Sequence, residues 1–118
     1  MAGKIITALQ GTSEITITVT GRVTGRQISI PVWSVAEDGK LYLLPVHGSD
    51  SDWYKNLLND PRTELAADGV SVTATATPIT DPASVRPVVE KFRARYGADQ
   101  VAAYYPKTDV AMEISLPE

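Results

Sequence analysis

Cysteine is missing from this chain altogether, and histidine occurs once, at His47. Without thiols there are no disulfides, no thiolate metal sites and no cysteine nucleophile. A single imidazole leaves no histidine cluster for zinc. A Ser–His–Asp hydrolase would hang on His47 alone, with Ser49 and Ser51 near it only in sequence and no nucleophile elbow around them. Charge is equally spare. Eleven Lys and Arg stand against fourteen Asp and Glu, for a net charge of −3, and no two basic residues are adjacent. That distribution does not draw DNA or RNA, so a nucleic-acid partner is not expected. The acidic residues are scattered, without a pair spaced for a glycosidase or a metal site. No apolar run approaches membrane-spanning length and no signal-peptide core opens the chain. A soluble, cytoplasmic protein with no membrane span is the expectation.

What is present is enough for one domain over residues 1–118, with a single core. Residues before about Thr12 are short and mixed, an arm or a first partial strand. Ile15, Ile17 and Val19 then alternate with Thr16, Thr18 and Thr20, and Ile28, Ile30 and Val32 alternate with Gln27, Ser29 and Pro31. A period of two on both sides of a Gly-rich stretch predicts strand, turn, strand. The second strand runs from Gln27 to about Ala36. Asp38-Gly39 supplies a tight hairpin turn, and Leu41 to Val46 reads as a buried strand. His47 to Asp50 breaks that strand. Asp50 or Ser51 suits an N-cap, and the i,i+4 pairs Trp53/Leu57 and Tyr54/Leu58 predict a short helix that ends at Asn59-Asp60-Pro61.

Arg62–Ala67, a turn at Asp68-Gly69 and Val70–Ile79 complete a further hairpin, with Val70, Val72, Ala74 and Ala76 on one face. Asp81-Pro82 opens a helical segment with Val85, Val88, Val89, Phe92 and Tyr96 on one stripe; Pro87 is awkward in a helix that begins at Pro82 and fits one with Ser84 as the N-cap. Gly97 stops that helix. A polar and aromatic stretch leads to Tyr104-Tyr105-Pro106, and Val110–Leu116 alternates as a closing strand. The class is β-rich α+β: a small antiparallel barrel of about six strands with two or three helices, closed to hide its edges.

The segment Thr18–Arg26 holds two glycines, two arginines and three threonines in nine residues. Glycine admits φ > 0, so successive amides can converge on an anion, and arginine forks match phosphate or carboxylate. The plainer reading of the same residues is a solvated hairpin turn. Likewise, Trp53 and Tyr54 at helical spacing suit a core as well as a ring-binding site. His47 suits either a polar strand end or a donor to a phosphate or ring carbonyl.

Taken in order, Thr20-Gly21-Arg22-Val23-Thr24-Gly25-Arg26 with Pro31, Gly39-Lys40-Leu41-Tyr42-Leu43, Gly48, Asp52-Trp53-Tyr54-Lys55-Asn56-Leu57 and Asp60-Pro61-Arg62 resemble the deazaflavin-dependent nitroreductase family. The motif-bearing part spans about Thr20 to Arg62, and the order of elements agrees over nearly the whole chain. The resemblance implies a split β-barrel related to the FMN-binding, pyridoxamine-phosphate-oxidase-like flavoproteins. It implies binding of coenzyme F420 and hydride transfer to a small-molecule electron acceptor such as a quinone or nitro compound.

In that reading Arg22, Thr24 and Gly25, with Arg26, hold the anionic cofactor tail. Pro45, Val46, His47 and Gly48 run along the ring, Trp53 supports it, and Tyr104 and Tyr105 line the substrate side. The family often carries basic residues where this chain has Val23, Ile28 and His47. The loss of positive charge leaves FMN as an alternative cofactor and a non-catalytic split-barrel module, binding a small anion or partner, as an alternative function. A barrel this small gains from a second copy, so a homodimer is an option.

Overall fold

Two long strands that change partners halfway along their length set the architecture. The computed structural model describes residues 14–116, so the N-terminal arm lies outside the described residues. β1 (Glu14–Thr20), β2 (Gln27–Glu37), β3 (Lys40–Leu43), β4 (Arg62–Ala67), β5 (Val70–Ile79) and β6 (Ala111–Ser115) close into a barrel in the order β1-β2-β3-β6-β5-β4. Every pairing is antiparallel. β2 pairs with β1 from Gln27 to Trp33, then with β3 from Ser34 to Glu37. β5 pairs with β4 up to Thr75 and with β6 from Ala76. Small residues, Ser34 and Ala76, sit where each strand turns the corner, both buried. The barrel is therefore split into two sheets that share β2 and β5.

The period-two pattern does what it foretold. Ile15, Ile17 and Val19 point inward and oppose Val32, Ile30 and Ile28, while Leu65 pairs with both Ile17 and Val72. Leu41, Leu43, Met112 and Ile114 fill the other sheet's inner face, and all four are fully buried. α1 (Asp52–Asn59) plugs the barrel with Trp53, Tyr54 and Leu57. Burying side chains of this size stabilises by about 1.5–3 kcal/mol each. Both tight turns take the expected form: Asp38 and Gly39 have φ of 54° and 76°, and Asp68 and Gly69 have φ of 51° and 78°.

A second core lies outside the barrel. α2 (Pro82–Tyr96) lays Val85, Val88, Val89 and Phe92 over Val35, Leu44 and Ala111, together with Val101 and Tyr105. Of the two starts the sequence offers, the helix takes the earlier one, at Pro82. Asp81, not Ser84, is its N-cap, and its carboxylate accepts from the Ser84 N–H at 3.1 Å. Pro82 takes the first helical position, where a missing N–H costs nothing. Pro87 then falls inside the helix and forgoes one bond to the carbonyl of Ala83, which lies on the exposed side. Two further expectations change. β3 ends at Leu43, because Pro45 has no N–H for a sheet ladder, and the polar stretch after Gly97 is a helix, α3 (Ala98–Tyr104). The described part thus has six strands, three α-helices and one 3₁₀ turn, Gly48–Asp50.

That 3₁₀ turn depends on Gly48. Its φ is +57°, and a Cβ built there would stand 2.1 Å from Asp109 Oδ1 and 2.8 Å from Lys107 Cγ. Gly39 has the same sign of φ with nothing within 4 Å. Gly39→Ala is expected to cost about 1 kcal/mol, from backbone strain alone. Gly48→Ala is expected to cost clearly more, as strain and overlap add. Urea unfolding midpoints of the two variants check this, and equal midpoints would contradict it.

Candidate functional site

A groove of about 420 Å³ opens along β2 where the barrel splits, within the range usual for small-molecule sites. Its floor is Ile30, Val32 and Trp33 of β2. Leu44, Val46 and His47, from the connection after β3, form one wall, and Tyr104 and Tyr105, at the end of α3, form the other. Ser51, Asp52 and Trp53 close the end at α1. The lining is largely apolar and aromatic, with a few polar groups at the rim.

Trp33 is the centre of this arrangement. Strand alternation turns Val32 and Ser34 toward the barrel and Trp33 outward, onto α2 and α3. Its indole stacks on Tyr96 at 4.4 Å with the planes 13° apart, and meets Tyr104 and Tyr105 edge-on at 4.9 and 6.0 Å. Tyr105 in turn packs edge-on against Phe92 at 5.8 Å. The Tyr96 hydroxyl accepts from the Ser34 N–H at 3.1 Å and donates to the Ser34 carbonyl at 2.7 Å. It therefore ties α2 to β2 at the corner where β2 changes partners. Burial, with Tyr96 close by, pushes the Tyr105 phenol well above its ordinary pKa, so it stays neutral.

The wall opposite the tyrosines is shaped by its turn. The Gly48 N–H donates to the Pro45 carbonyl at 3.0 Å, and the His47 N–H donates to Ser51 Oγ at 2.8 Å. Ser51 stands at the N-cap position of α1, but its hydroxyl is turned back to His47 and makes no side-chain bond to the helix. Ser49 donates twice to Asp109, from its backbone N–H at 3.0 Å and from Oγ at 2.6 Å. Lys107 Nζ lies 2.9 Å from Asp50. Burial opposes the Asp109 charge, but the two Ser49 bonds, the Asp109 backbone amide and the nearby Lys107 charge together hold the carboxyl below its ordinary range. The Lys107 hydrogen bond lowers Asp50 in the same way.

Of the residues singled out from sequence, Val46, His47, Trp53, Tyr104 and Tyr105 come together on the groove. Pro45 and Gly48 shape the connection behind them. Arg22, Thr24, Gly25 and Arg26 lie in the β1–β2 connection and do not line the groove, although Arg22 contacts Asp52, which does. Four amides of that connection are engaged by protein acceptors, three of them within the connection itself. Gly21 donates to Arg26 O at 2.8 Å, Gly25 to Gly21 O at 2.9 Å, Arg22 to Asn56 Oδ1 at 3.1 Å and Arg26 to Thr24 Oγ1 at 3.3 Å. The Arg22 guanidinium reaches Asn56 Oδ1 at 2.7 Å and Asp52 Oδ1 at 3.3 Å, which staples the connection to α1. Arg26 is exposed. Sequence reasoning passed over Trp33 and Asp109, and it read Tyr96 only as part of the helix stripe and Ser49 only as a neighbour of His47 in sequence. Trp33 carried a signal, an outward-facing indole on an alternating strand. Asp109 carried none, since its partner is 60 residues away.

A family model for F420H(2)-dependent quinone reductase matches residues 1–116. The chain belongs to that family. Its fold recurs in solved structures at low identity. An F420-H2 dependent reductase, FDR-A, shares 21% identity at a TM-score of 0.68, over 86% of this chain and 93% of that one. A chain described as a domain-swapped dimer shares 21% identity at a TM-score of 0.68, over 95% and 92%. A candidate pyridoxamine 5'-phosphate oxidase from Listeria innocua shares 11% identity at a TM-score of 0.71, over 99% and 94%. These likenesses show the split-barrel fold. No curated protein matches the sequence significantly. Among the described residues no helix is long and apolar enough to cross a membrane, and no group of three or more His, Cys, Asp or Glu could hold a metal.

In this member of the F420H(2)-dependent quinone reductase family, Arg22 is a structural residue that staples the β1–β2 connection to α1. Arg22→Ala is expected to lower stability by about 1 kcal/mol, the worth of a partly exposed charged contact. Arg26→Ala is expected to stay within about 0.5 kcal/mol of the parent. Equal urea midpoints for the two variants would contradict the staple. Asp109 sets a pH dependence. A depressed native pKa means its stabilisation is full above the ordinary carboxylate range and is lost as pH falls through the native value. Asp109→Asn is therefore expected to be less stable than the parent at pH 7, with the gap closing under acid. A gap that holds constant down to pH 2–3 would show that the charge plays no part.

Proposed function

We propose that the chain is a reductase that binds coenzyme F420 with its ring in the Trp33 groove and passes a hydride to a quinone or similar small electrophile. The observation that carries this reading is the groove itself. It is an apolar slot of about 420 Å³, floored by Trp33 and walled by Tyr104 and Val46, in a chain whose family is F420-dependent. A flat ring system gains most from such walls, since aromatic faces add about 0.5–1.5 kcal/mol per stacked pair beyond burial.

Bound F420 would supply the hydride, which leaves the protein little covalent chemistry to perform. The residues orient the ring, exclude water and place donors. Trp33 and Val46 fix the ring plane. Tyr104, half exposed at 54%, stands where an acceptor enters. The Tyr104 hydroxyl and the His47 imidazole supply hydrogen bonds, and a proton, to the oxygen on which charge develops as a quinone is reduced. Tyr105, kept neutral by burial, seals the inner end. The anionic tail lies toward the β1–β2 connection, where the exposed Arg26 side chain meets it and Arg22, held by Asn56 and Asp52, adds positive charge beside it. Thr24 and Gly25 shape that end.

FMN is the competing cofactor, supported only by the distant oxidase-like fold relative. A homodimer belongs to the same reading and is supported by the relative described as a domain-swapped dimer.

Tryptophan fluorescence titrated with F420 and with FMN, side by side, tests the assignment. Saturable quenching by F420 is expected, weakened tenfold or more in Trp33→Leu, followed by oxidation of reduced F420 when a quinone such as menadione is added. Saturation by FMN alone would replace the cofactor. Binding of neither would leave a non-catalytic module.

A further inference from the structure

The two walls of the groove belong to distant parts of the chain, and a small set of polar contacts joins them just behind the lining. Ser49 and Asp50 lie two and three residues past His47, and Lys107 and Asp109 lie two and four residues past Tyr105. Both ends of the Ser49 residue are used: Oγ donates to Asp109 Oδ2 at 2.6 Å and the N–H to Oδ1 at 3.0 Å. Lys107 bridges the carboxylates of Asp50 at 2.9 Å and Asp109 at 3.8 Å. These side chains lie flush on the Gly48 backbone, with no room for a Cβ between. The walls are otherwise unequal. Tyr105 is anchored against Phe92 in the outer core, whereas Val46 and His47 are exposed. Beyond the bonds within the turn and to Ser51, the contacts to Asp109 and Lys107 tie the segment bearing Val46 and His47 to the one bearing the tyrosines.

We infer that the Ser49–Asp109 and Asp50–Lys107 contacts form a clasp that fixes the width of the groove, with Asp109 as a positioning residue for the ring. The inference rests on the reading of the groove as a ring site. Asp109 acts through the turn and touches no ligand. A charge-assisted pair that is short and doubly bonded suits the role, because its geometry is sharper than that of a single surface ion pair. Removing it leaves the outer core intact and releases one wall. The depressed pKa of Asp109 agrees with a carboxylate held by donors.

The test uses Ser49→Ala, Ser49→Thr and Asp109→Ala, with hydrogen exchange and F420 titration of each intact chain. Ser49→Ala is expected to speed exchange at residues 46–50 and 104–110 together. It is also expected to weaken F420 binding about tenfold, the scale of a modest misplacement. Ser49→Thr, which keeps the hydroxyl, is expected to restore both. Asp109→Ala is expected to exceed Ser49→Ala in both readouts. Parental F420 affinity in Ser49→Ala and Asp109→Ala would overturn the positioning role. Exchange that rises in one segment without the other would overturn the clasp while leaving the ring site standing. A parent chain that binds F420 not at all would overturn the ring site and the positioning role with it.

Discussion

The Tyr96 hydroxyl accepts from the Ser34 N–H and donates to the Ser34 carbonyl, and this pair of hydrogen bonds secures the corner on which the groove depends. A strand that leaves one neighbour for another must change the partners of its amides and carbonyls, and buried backbone groups left unmet cost about 1–3 kcal/mol each. Here one phenol meets two of them, at the residue where β2 passes from β1 to β3. The same tyrosine ring stacks on Trp33. One side chain of α2 thus secures the split in the barrel and the indole that floors the groove. The groove exists because the barrel splits there, and it is aromatic because α2 and α3 bring Tyr96, Tyr104 and Tyr105 to that corner.

The site is consequently built on rigid elements on three sides and on a turn on the fourth. β2 packs into both hydrophobic cores, α1 into the inner one and the end of α3 into the outer one. The connection after β3 is not a regular element, and it is organised by Pro45, Gly48 and polar contacts. Chemistry of the kind the family performs asks for such a division. Hydride transfer needs a ring held flat and shielded from water and an acceptor that enters and leaves by an accessible edge, and the proposed site assigns the first to the embedded walls. Tyr104 and His47 stand on that edge.

Much of the fold was legible because it follows local rules. Alternation at Ile15, Ile17 and Val19 fixed which face of β1 is buried, and the Asp-Gly pairs at 38–39 and 68–69 fixed two hairpins. The stripe from Val85 to Tyr96 fixed the helix face. What misled was competition between local signals. Pro87 argued for a late helix start, and the stronger cap at Asp81 with Pro82 prevailed. The apolar run Leu44-Pro45-Val46 looked like strand, and the missing proline N–H ended it. The site was legible in part. Val46, His47, Trp53, Tyr104 and Tyr105 meet on one groove, yet nothing local tells that Asp109 grips Ser49 across 60 residues. In the Gly-Arg stretch, composition suggested amides aimed at an anion. Those of Gly21, Arg22, Gly25 and Arg26 are spent inside the protein, because a connection of this length must satisfy its own backbone.

The central claim is that a planar ring binds against Trp33. The chain has two tryptophans, hence two indole N–H signals in a ¹H–¹⁵N spectrum, from Trp33 and Trp53. On addition of F420 the Trp33 indole is expected to move most among side-chain signals, with backbone shifts at residues 46–47 and 104–105. Shifts confined to the β1–β2 connection, with the Trp33 indole unmoved, would contradict the account.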